Sequence, residues 1–96
     1  MIYRTHRRHP HTLYVGRPSI WGNPFTVEEH GREGCIDLFE QKMEQRLSGP
    51  YKDVWINRLK AIPDDAVLGC WCEDDQDCHA DVIIELVYQF RERVVG

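Results

Sequence analysis

The feature that most constrains the fold is an unbroken run of apolar and small residues at Ala66–Cys72, with the sequence Ala-Val-Leu-Gly-Cys-Trp-Cys. The run is far shorter than the roughly 20 residues that cross a membrane as a helix. Its length is typical of a strand, and a strand that is apolar along its whole length is typical of an α/β sheet covered on both faces. The run therefore predicts a central strand of such a sheet.

Three segments carry the spacing of amphipathic helices, with apolar residues three and four positions apart. They span Glu33–Leu47, Tyr51–Ala61 and His79–Val95. Breakers follow the first two, at Ser48–Pro50 and at Pro63. The positions predicted to face the core are Ile36, Phe39, Met43 and Leu47 in the first helix, Val54, Trp55 and Leu59 in the second, and Val82, Ile83, Leu86, Val87, Phe90 and Val94 in the third.

Two further strands are predicted ahead of the first helix. Thr12–Gly16 is rich in β-branched and aromatic residues, and Ile2-Tyr3 adds a shorter strand. The order β(β)ααβα favours an α/β fold, a small Rossmann-like sheet of about three strands with three covering helices. A chain of 96 residues has room for one core, so residues 1–96 are predicted to form a single domain, with residues 1–11 as a basic N-terminal arm or a short edge strand. The order of the strands within the sheet does not follow from the sequence.

Charge is distributed unevenly along the chain. The net charge is −4, yet residues 1–17 contain four arginines and no acidic residue. The overall field disfavours general binding of nucleic acid, which stays an alternative partner, while the basic segment is suited to phosphate groups. No segment is long enough to span a membrane, and the first residues lack the apolar core of a secretory signal, so we expect a cytoplasmic protein with no membrane partner.

The four cysteines, Cys35, Cys70, Cys72 and Cys78, are expected to be free thiols or metal ligands, because disulfides form mainly in secreted proteins. Three of them surround a junction where the predicted central strand ends, an acidic loop follows and the third helix begins at His79. In open α/β sheets, ligands bind at strand-to-helix junctions of this kind. The junction is therefore the first candidate site.

One hypothesis for the junction is nucleophilic catalysis. Cys78 and His79 open the third helix, and a thiol close to a helix N-terminus and a histidine is favoured as a thiolate. In an enzyme, Cys78 or Cys72 is the predicted nucleophile, His79 the acid or base, and Asp81 the orienting carboxylate. Whether any reaction is catalysed does not follow from the sequence.

A second hypothesis is a zinc site formed by Cys70, Cys72, Cys78 and His79, which supply the ligand types for tetrahedral coordination. The spacing is unfavourable, because a C-x-C pair on an extended strand is expected to spread its two sulfurs, so zinc is the alternative and not the favoured prediction. In a purely structural interpretation, Cys70 and Cys72 are small core residues and the Cys78-His79 pair caps the helix.

The second candidate segment is the loop Gly16–Phe25, which contains two prolines and a Gly-Asn step. Prolines stiffen a loop, and a stiff loop with polar and aromatic side chains is suited to form the edge of a binding site. Its predicted ligand-binding residues are Arg17, Ser19, Trp21, Gly22 and Asn23. The alternative is a packed connection in which Trp21 and Phe25 fill the core.

Motifs at both segments point to a known family. They are Tyr14–Arg17, Trp21–Phe25, Arg32, Cys70–Cys72 and Cys78–Asp81. Over about residues 12–90 the chain resembles a family of small bacterial and phage domains, domain-of-unknown-function family 4326. The resemblance implies that Gly16–Phe25 and Cys70–Asp81 form one site, and it implies no reaction. The loop before Cys78 is longer and more acidic than the family pattern, and the N-terminal arm is richer in arginine and histidine.

Together these features predict a protein that binds a nucleotide or a nucleotide-derived phosphate in a cleft between residues 16–25 and 72–81. Arg17 and the backbone N–H groups near His79 are expected to neutralise phosphate, Asn23 to provide directional hydrogen bonds, and Trp21 to stack on the base. The full predicted ligand-binding set is Arg17, Ser19, Trp21, Gly22, Asn23, Arg32 and Trp71. The alternatives are a non-catalytic module that sequesters a ligand or docks on a protein, and a small zinc-stabilised interaction domain. No cofactor is predicted, and a homodimer is left open.

Overall fold

The computed structural model describes residues 1–73 and 75–93, and over these residues the fold consists of three parallel strands and three helices. The strands are β1 (Tyr3–His6), β2 (Leu13–Tyr14) and β3 (Val67–Cys70), and the helices are α1 (Val27–Ser48), α2 (Lys52–Lys60) and α3 (His79–Arg93). This order, ββααβα, confirms the predicted α/β class with three strands and three helices.

β3 is the central strand of the sheet, as its apolar composition predicts. The strand order is β1-β3-β2, and both outer strands run parallel to β3. Within the sheet, Tyr3 pairs with Val67, and Leu13 pairs with Leu68. Because all three strands are parallel, the segments that follow them gather at one edge of the sheet. That edge is where the candidate site forms.

The two outer strands differ from their predicted bounds, because pairing with β3 determines where they begin and end. β1 continues to His6, beyond the predicted Ile2-Tyr3, and lies at an edge of the sheet. β2 covers only the middle of the predicted Thr12–Gly16. The Val15 N–H still donates to the Gly69 carbonyl at 2.9 Å, so the backbone follows β3 for one residue past β2.

β3 is shorter than the apolar run that predicts it. It ends at Cys70, while Trp71 is 59% exposed and Cys72 is half-buried. The Cys70 side chain belongs to the hydrophobic core. On the opposite face, a Cβ added at Gly69 would lie 2.5 Å from Cδ2 of the His11 ring. At Gly69, a side chain from a loop therefore covers the second face of the sheet.

α1 begins at Val27, ahead of its predicted start, and is interrupted at Gly31. The Thr26 hydroxyl caps the helix, since its oxygen accepts a backbone N–H of the first turn at 3.3 Å. Gly31 has a φ of 71° and a ψ of 165°, a conformation that suits glycine because it has no Cβ. The main part of α1 follows this break and corresponds to the predicted helix. The change of direction at Gly31 comes immediately before Arg32, a residue of the candidate site.

α2 and α3 agree closely with their predicted bounds where the structure describes them. In α2, Leu59 is buried, but Val54 is 44% exposed, so the prediction for Val54 is wrong. The reason is that Trp55 and Leu59 form the inward stripe of this short helix, and Val54 lies to one side of it. α3 starts at His79 as predicted. Its core positions Val82, Ile83 and Val87 are buried, Leu86 and Phe90 are partly buried, and Val94 and Val95 lie outside the described residues.

The helices also bear on the membrane question. Within residues 1–73 and 75–93, no helix is both long enough and apolar enough to cross a bilayer.

Candidate functional site

One cleft, of about 190 Å³, lies where the segments after β2 and β3 meet the start of α3. Both segments singled out in the sequence contribute to its walls, and the start of α1 contributes as well. Of the predicted site residues, those that line the cleft are Arg17, Asn23, Arg32, Trp71, Cys72, Cys78 and His79.

Three thiols meet beside this cleft, and two of them, Cys72 and Cys78, line it. The sulfurs of Cys70, Cys72 and Cys78 all lie within 4.8 Å of one another, and no cysteine of the chain is in a disulfide. Cys70 and Cys78 are buried and Cys72 is half-buried. The expectation that the C-x-C spacing would spread the sulfurs is wrong, because β3 ends at Cys70 and Cys72 is not part of an extended strand. We refer to these three residues as the thiol cluster.

The thiols of the cluster differ in their electrostatic surroundings. Hydrogen bonds with the thiols of Cys70 and Cys78, together with the guanidinium of Arg32, lower the pKa of Cys72. Arg32 Nη1 lies 3.4 Å from the Cys72 sulfur and donates to the Asp77 carbonyl at 3.1 Å. Hydrogen bonding within the cluster and burial raise the pKa of Cys78. Of the three thiols, Cys72 is therefore the one whose surroundings favour the thiolate.

His79, the first residue of α3, has a defined tautomer. Its Nε2 lies 2.7 Å from the Val15 carbonyl oxygen, and because that oxygen only accepts, Nε2 carries the proton. Nδ1 is then unprotonated, and it lies 3.7 Å from the Cys78 sulfur. Burial lowers the pKa of the ring, and the edge of the ring packs on Phe39 with centroids 5.0 Å apart. The ring is thus fixed and directed at Cys78.

The N-terminus of α3 offers less to an anion than the sequence predicts. The Ala80 N–H donates to the Cys78 sulfur at 3.5 Å, and the Asp81 N–H donates to the Cys78 carbonyl at 3.0 Å. Cys78 therefore caps the helix with its own atoms, as the structural interpretation of the Cys78-His79 pair expects. Any phosphate in the cleft depends mainly on arginine side chains.

The N-terminal arginines contact the segment between β3 and α3. Arg4 Nε donates to Asp81 Oδ1 at 2.8 Å, and its terminal nitrogens donate to the carbonyl oxygens of Glu73 and Gln76. Arg8 donates to both carboxylate oxygens of Glu73, at 3.0 and 2.8 Å. The carboxylate predicted to orient His79 thus pairs with Arg4, and the Val15 carbonyl orients the imidazole instead. The opposite charges of the two segments are the sequence signal for these pairs.

Trp21 does not lie in the cleft. Its side chain is 4% exposed and packs edge-on against Trp55, with ring centroids 5.7 Å apart, so neither ring face is open to a ligand. Ser19 shapes the same turn, since its hydroxyl oxygen accepts the Trp21 N–H at 3.3 Å. Gly22 packs against the Arg17 backbone, where a Cβ would lie 3.0 Å from Cα. The stacking predicted for Trp21 is therefore wrong, and Trp21 fills the core as the packed-connection alternative expects. Phe25, the other core residue of that alternative, is half-buried and lines the cleft instead.

Asn23 lines the cleft, but its amide is already engaged. Nδ2 donates to the Cys35 carbonyl at 3.0 Å, and Oδ1 accepts the Phe25 N–H at 3.0 Å. Both ends of the side chain hold the loop against α1. The directional hydrogen bonds expected of Asn23 toward a ligand are thus used inside the protein.

Trp71, which is 59% exposed, is more exposed than Phe25, which also lines the cleft. Its Nε1 donates to the Tyr14 hydroxyl at 2.8 Å, and that hydroxyl donates to the Arg17 carbonyl at 2.9 Å. The Arg7 guanidinium lies 4.0 Å from the centroid of the indole ring. Sequence reasoning missed Tyr14 and Arg7 as site residues, although Tyr14 belongs to the Tyr14–Arg17 motif, which was the available signal.

A family model described as a domain of unknown function (DUF4326) matches residues 2–89. The chain belongs to this family. The matched range contains every residue of the cleft, so the cleft is a feature of the DUF4326 portion of the chain. Neither the search of curated proteins nor the search of solved structures finds a match.

A second groove in this DUF4326 domain, of about 340 Å³, lies between α1 and α3. Three glutamates, Glu40, Glu44 and Glu85, line it together with apolar side chains. Their charge is unfavourable for an anionic ligand, and among the described residues no arginine, histidine or cysteine lines the groove. Between these two sites, the cleft beside the thiol cluster has the groups suited to chemistry or to phosphate.

Proposed function

We propose that this protein binds a nucleotide or a nucleotide-derived phosphate in the cleft between residues 16–25 and the start of α3. The observation that carries the proposal is the guanidinium of Arg17. It lines the cleft on an exposed side chain, and within residues 1–73 and 75–93 that side chain makes no hydrogen bond or ion pair. A cation without an internal partner at a concave site is suited to an anionic ligand.

Arg32 adds a second positive charge to the same cleft. Its contacts with Cys72 and Asp77 use one terminal nitrogen, Nη1, whereas a guanidinium carries five N–H donors. The remaining donors are available to phosphate oxygens. Two guanidiniums at one cleft match the double negative charge of a phosphate monoester.

The size of the cleft indicates which part of a nucleotide it encloses. Its volume of about 190 Å³ is below the roughly 300–1,000 Å³ of pockets that enclose whole drug-sized ligands. It accommodates a phosphate and part of a ribose and leaves the base at the rim. Trp71, 59% exposed, offers an indole ring there, and stacking of a base on an aromatic side chain is worth about 1–3 kcal/mol. In this proposal Trp71 takes the stacking role expected of Trp21.

Binding without catalysis is the form of the proposal that the geometry supports better. Cys78, the first nucleophile candidate, is 2% exposed and its sulfur accepts the Ala80 N–H. Asp81 is paired with Arg4 instead of His79. A reaction through Cys72 or Cys78 with His79 stays a prediction, and the non-catalytic binding module named as an alternative fits the same cleft.

The test is a thermal-shift experiment with inorganic phosphate, ribose 5-phosphate and the adenosine and guanosine mono-, di- and triphosphates. A ligand at 100 times its Kd adds about 2.7 kcal/mol, which raises the Tm of a domain of this size by about 10–20 °C. Arg17→Gln is expected to abolish the shift for every phosphate compound. Lys60→Gln, at an exposed position in α2 outside the cleft, is the matched control and is expected to keep it.

Trp71→Ala distinguishes the contribution of the base from that of the sugar phosphate. It is expected to weaken the shift with the nucleotides and to leave the shift with ribose 5-phosphate unchanged, because only the base contacts the ring. The proposal fails if none of the compounds raises the Tm, or if Arg17→Gln responds to them as the unmodified protein does.

A further inference from the structure

We propose that the thiol cluster, Cys70, Cys72 and Cys78, binds one zinc ion through three thiolates. The inference concerns a metal beside the cleft, and it is independent of whether the protein binds a nucleotide. Its first support is distance, since the three sulfurs lie within 4.8 Å of one another although Cys72 and Cys78 are on opposite sides of a loop. Among the described residues, these three form the one set of histidine, cysteine or carboxylate side chains with this spacing.

The geometry is close to that of a tetrahedral zinc site. Zinc–sulfur bonds of about 2.3 Å place two ligating sulfurs about 3.8 Å apart. The cluster therefore needs to contract by at most about 1 Å on each edge to coordinate the metal. Rotation of side chains supplies a movement of this size, and Cys72 is free to make it because it follows the end of β3 and is half-buried.

The surroundings of two of the three sulfurs, those of Cys72 and Cys78, match those of metal-bound thiolates, whereas the Cys70 thiol donates to the Thr5 carbonyl at 3.4 Å. Arg32 Nη1 lies 3.4 Å from the Cys72 sulfur, and the Ala80 N–H donates to the Cys78 sulfur at 3.5 Å. Hydrogen bonds of this kind orient metal ligands and stabilise their charge. Three thiolates and one Zn²⁺ carry a net charge of −1, which the guanidinium of Arg32 balances. Zinc prefers thiolate ligands, whereas calcium and magnesium prefer oxygen, so the ligand set selects zinc or a similar soft divalent ion.

The three thiolates leave a fourth coordination position. His79 Nδ1 is 3.7 Å from the Cys78 sulfur, but it lies outside the set of atoms within 4.8 Å of one another. The Nε2 hydrogen bond to the Val15 carbonyl holds the ring in that place. Cys72 and Cys78 both line the cleft, so the structure assigns the fourth position to water or to an oxygen of a bound molecule rather than to His79.

The first experiment measures metal in the purified protein, in buffer without nucleotide or phosphate. The protein is produced in zinc-supplemented medium, purified and dialysed. Inductively coupled plasma mass spectrometry is then expected to find about one zinc per chain. Removal of zinc with a chelator is expected to lower the Tm, and added zinc to restore it. Absence of zinc in the purified protein, together with no rise in Tm when zinc is added to the metal-free protein, would overturn the proposal.

Variants identify the ligands. Cys72→Ser is the principal test, because Cys72 is the most exposed thiol of the cluster and its loss is least disruptive to folding; zinc affinity is expected to fall at least tenfold. Cys35→Ser is the matched control, because Cys35 is a buried free thiol outside the cluster, and it is expected to keep full zinc content. Equal zinc affinity in the two variants would overturn the assignment.

Cobalt substitution distinguishes a site with three thiolate ligands from a site in which His79 is the fourth ligand. The charge-transfer absorption of bound Co²⁺ is expected to report three thiolates, and His79→Gln is expected to keep the metal. Loss of the metal in a folded His79→Gln protein would overturn the open fourth position. Arg17→Gln is expected to retain zinc while losing the response to phosphate, so failure of the nucleotide proposal and failure of the zinc proposal are separate results.

Discussion

Replacing Arg4 by methionine tests how the N-terminal strand holds the segment that carries the site. Arg4 lies in β1, and its guanidinium contacts Asp81, Glu73 and Gln76, two of which lie between β3 and α3. Arg8 contacts Glu73 as well, through both carboxylate oxygens. The two arginines reach the same segment, but they differ in burial. The variants Arg4→Met and Arg8→Met therefore form a matched pair.

The expected loss of stability at Arg4 is about 2 kcal/mol. Its side chain is 13% exposed, and it makes two hydrogen bonds to carbonyl oxygens, each worth about 0.5–1.5 kcal/mol net. The ion pair with Asp81, which is 53% exposed, adds less than about 1 kcal/mol because water screens it. Methionine keeps the packing of the apolar stem. At Arg8 the arginine is 56% exposed and Glu73 is 48% exposed, so the loss there is at most about 1 kcal/mol.

Equilibrium unfolding in urea, followed by tryptophan fluorescence, measures both free energies. A loss of 2 kcal/mol corresponds to a fall in Tm of about 10 °C for a domain of this size. Arg8→Met is expected to change the Tm by less than half as much. If the two variants are equally destabilised, or Arg8→Met is the worse, then burial does not decide the strength of these contacts and the reasoning is wrong.

Two further predictions concern packing around the cleft. Trp21→Ala is expected to lower the free energy of unfolding by about 3–5 kcal/mol because the ring is buried against Trp55, whereas Trp71→Ala is expected to lower it by about 1 kcal/mol or less. Urea unfolding measures both free energies. The reverse ranking would contradict the assignment of Trp21 to the core and Trp71 to the cleft. Gly69→Ala is expected to cost about 1–3 kcal/mol, because the new Cβ would lie 2.5 Å from the His11 ring. The double variant with His11→Ala is expected to recover most of that loss in a thermal melt, and a double variant no more stable than Gly69→Ala would contradict this explanation.

The candidate site was only partly predictable from the sequence. The motif segments identified both walls of the cleft, but not the roles of the residues within them. Trp21 and Trp71 are both tryptophans in motifs, yet one is 4% exposed and the other 59%. Burial depends on the elements that pack over a residue, and these come from distant parts of the chain. For the same reason, Asn23 appeared free for a ligand although its amide bonds to Cys35 and Phe25.

What the sequence by itself determined is the set of elements and their order. The start of α3 at His79, the buried stripe of that helix and the apolar character of β3 follow from periodicity and breakers, which act over a few neighbouring residues. Only the tertiary structure decided the strand order β1-β3-β2 and the meeting of the sulfurs of Cys70, Cys72 and Cys78. The strand order depends on pairing between remote segments. The thiol cluster depends on where β3 ends and on how the chain returns to α3. Neither can be predicted from the spacing of the cysteines alone.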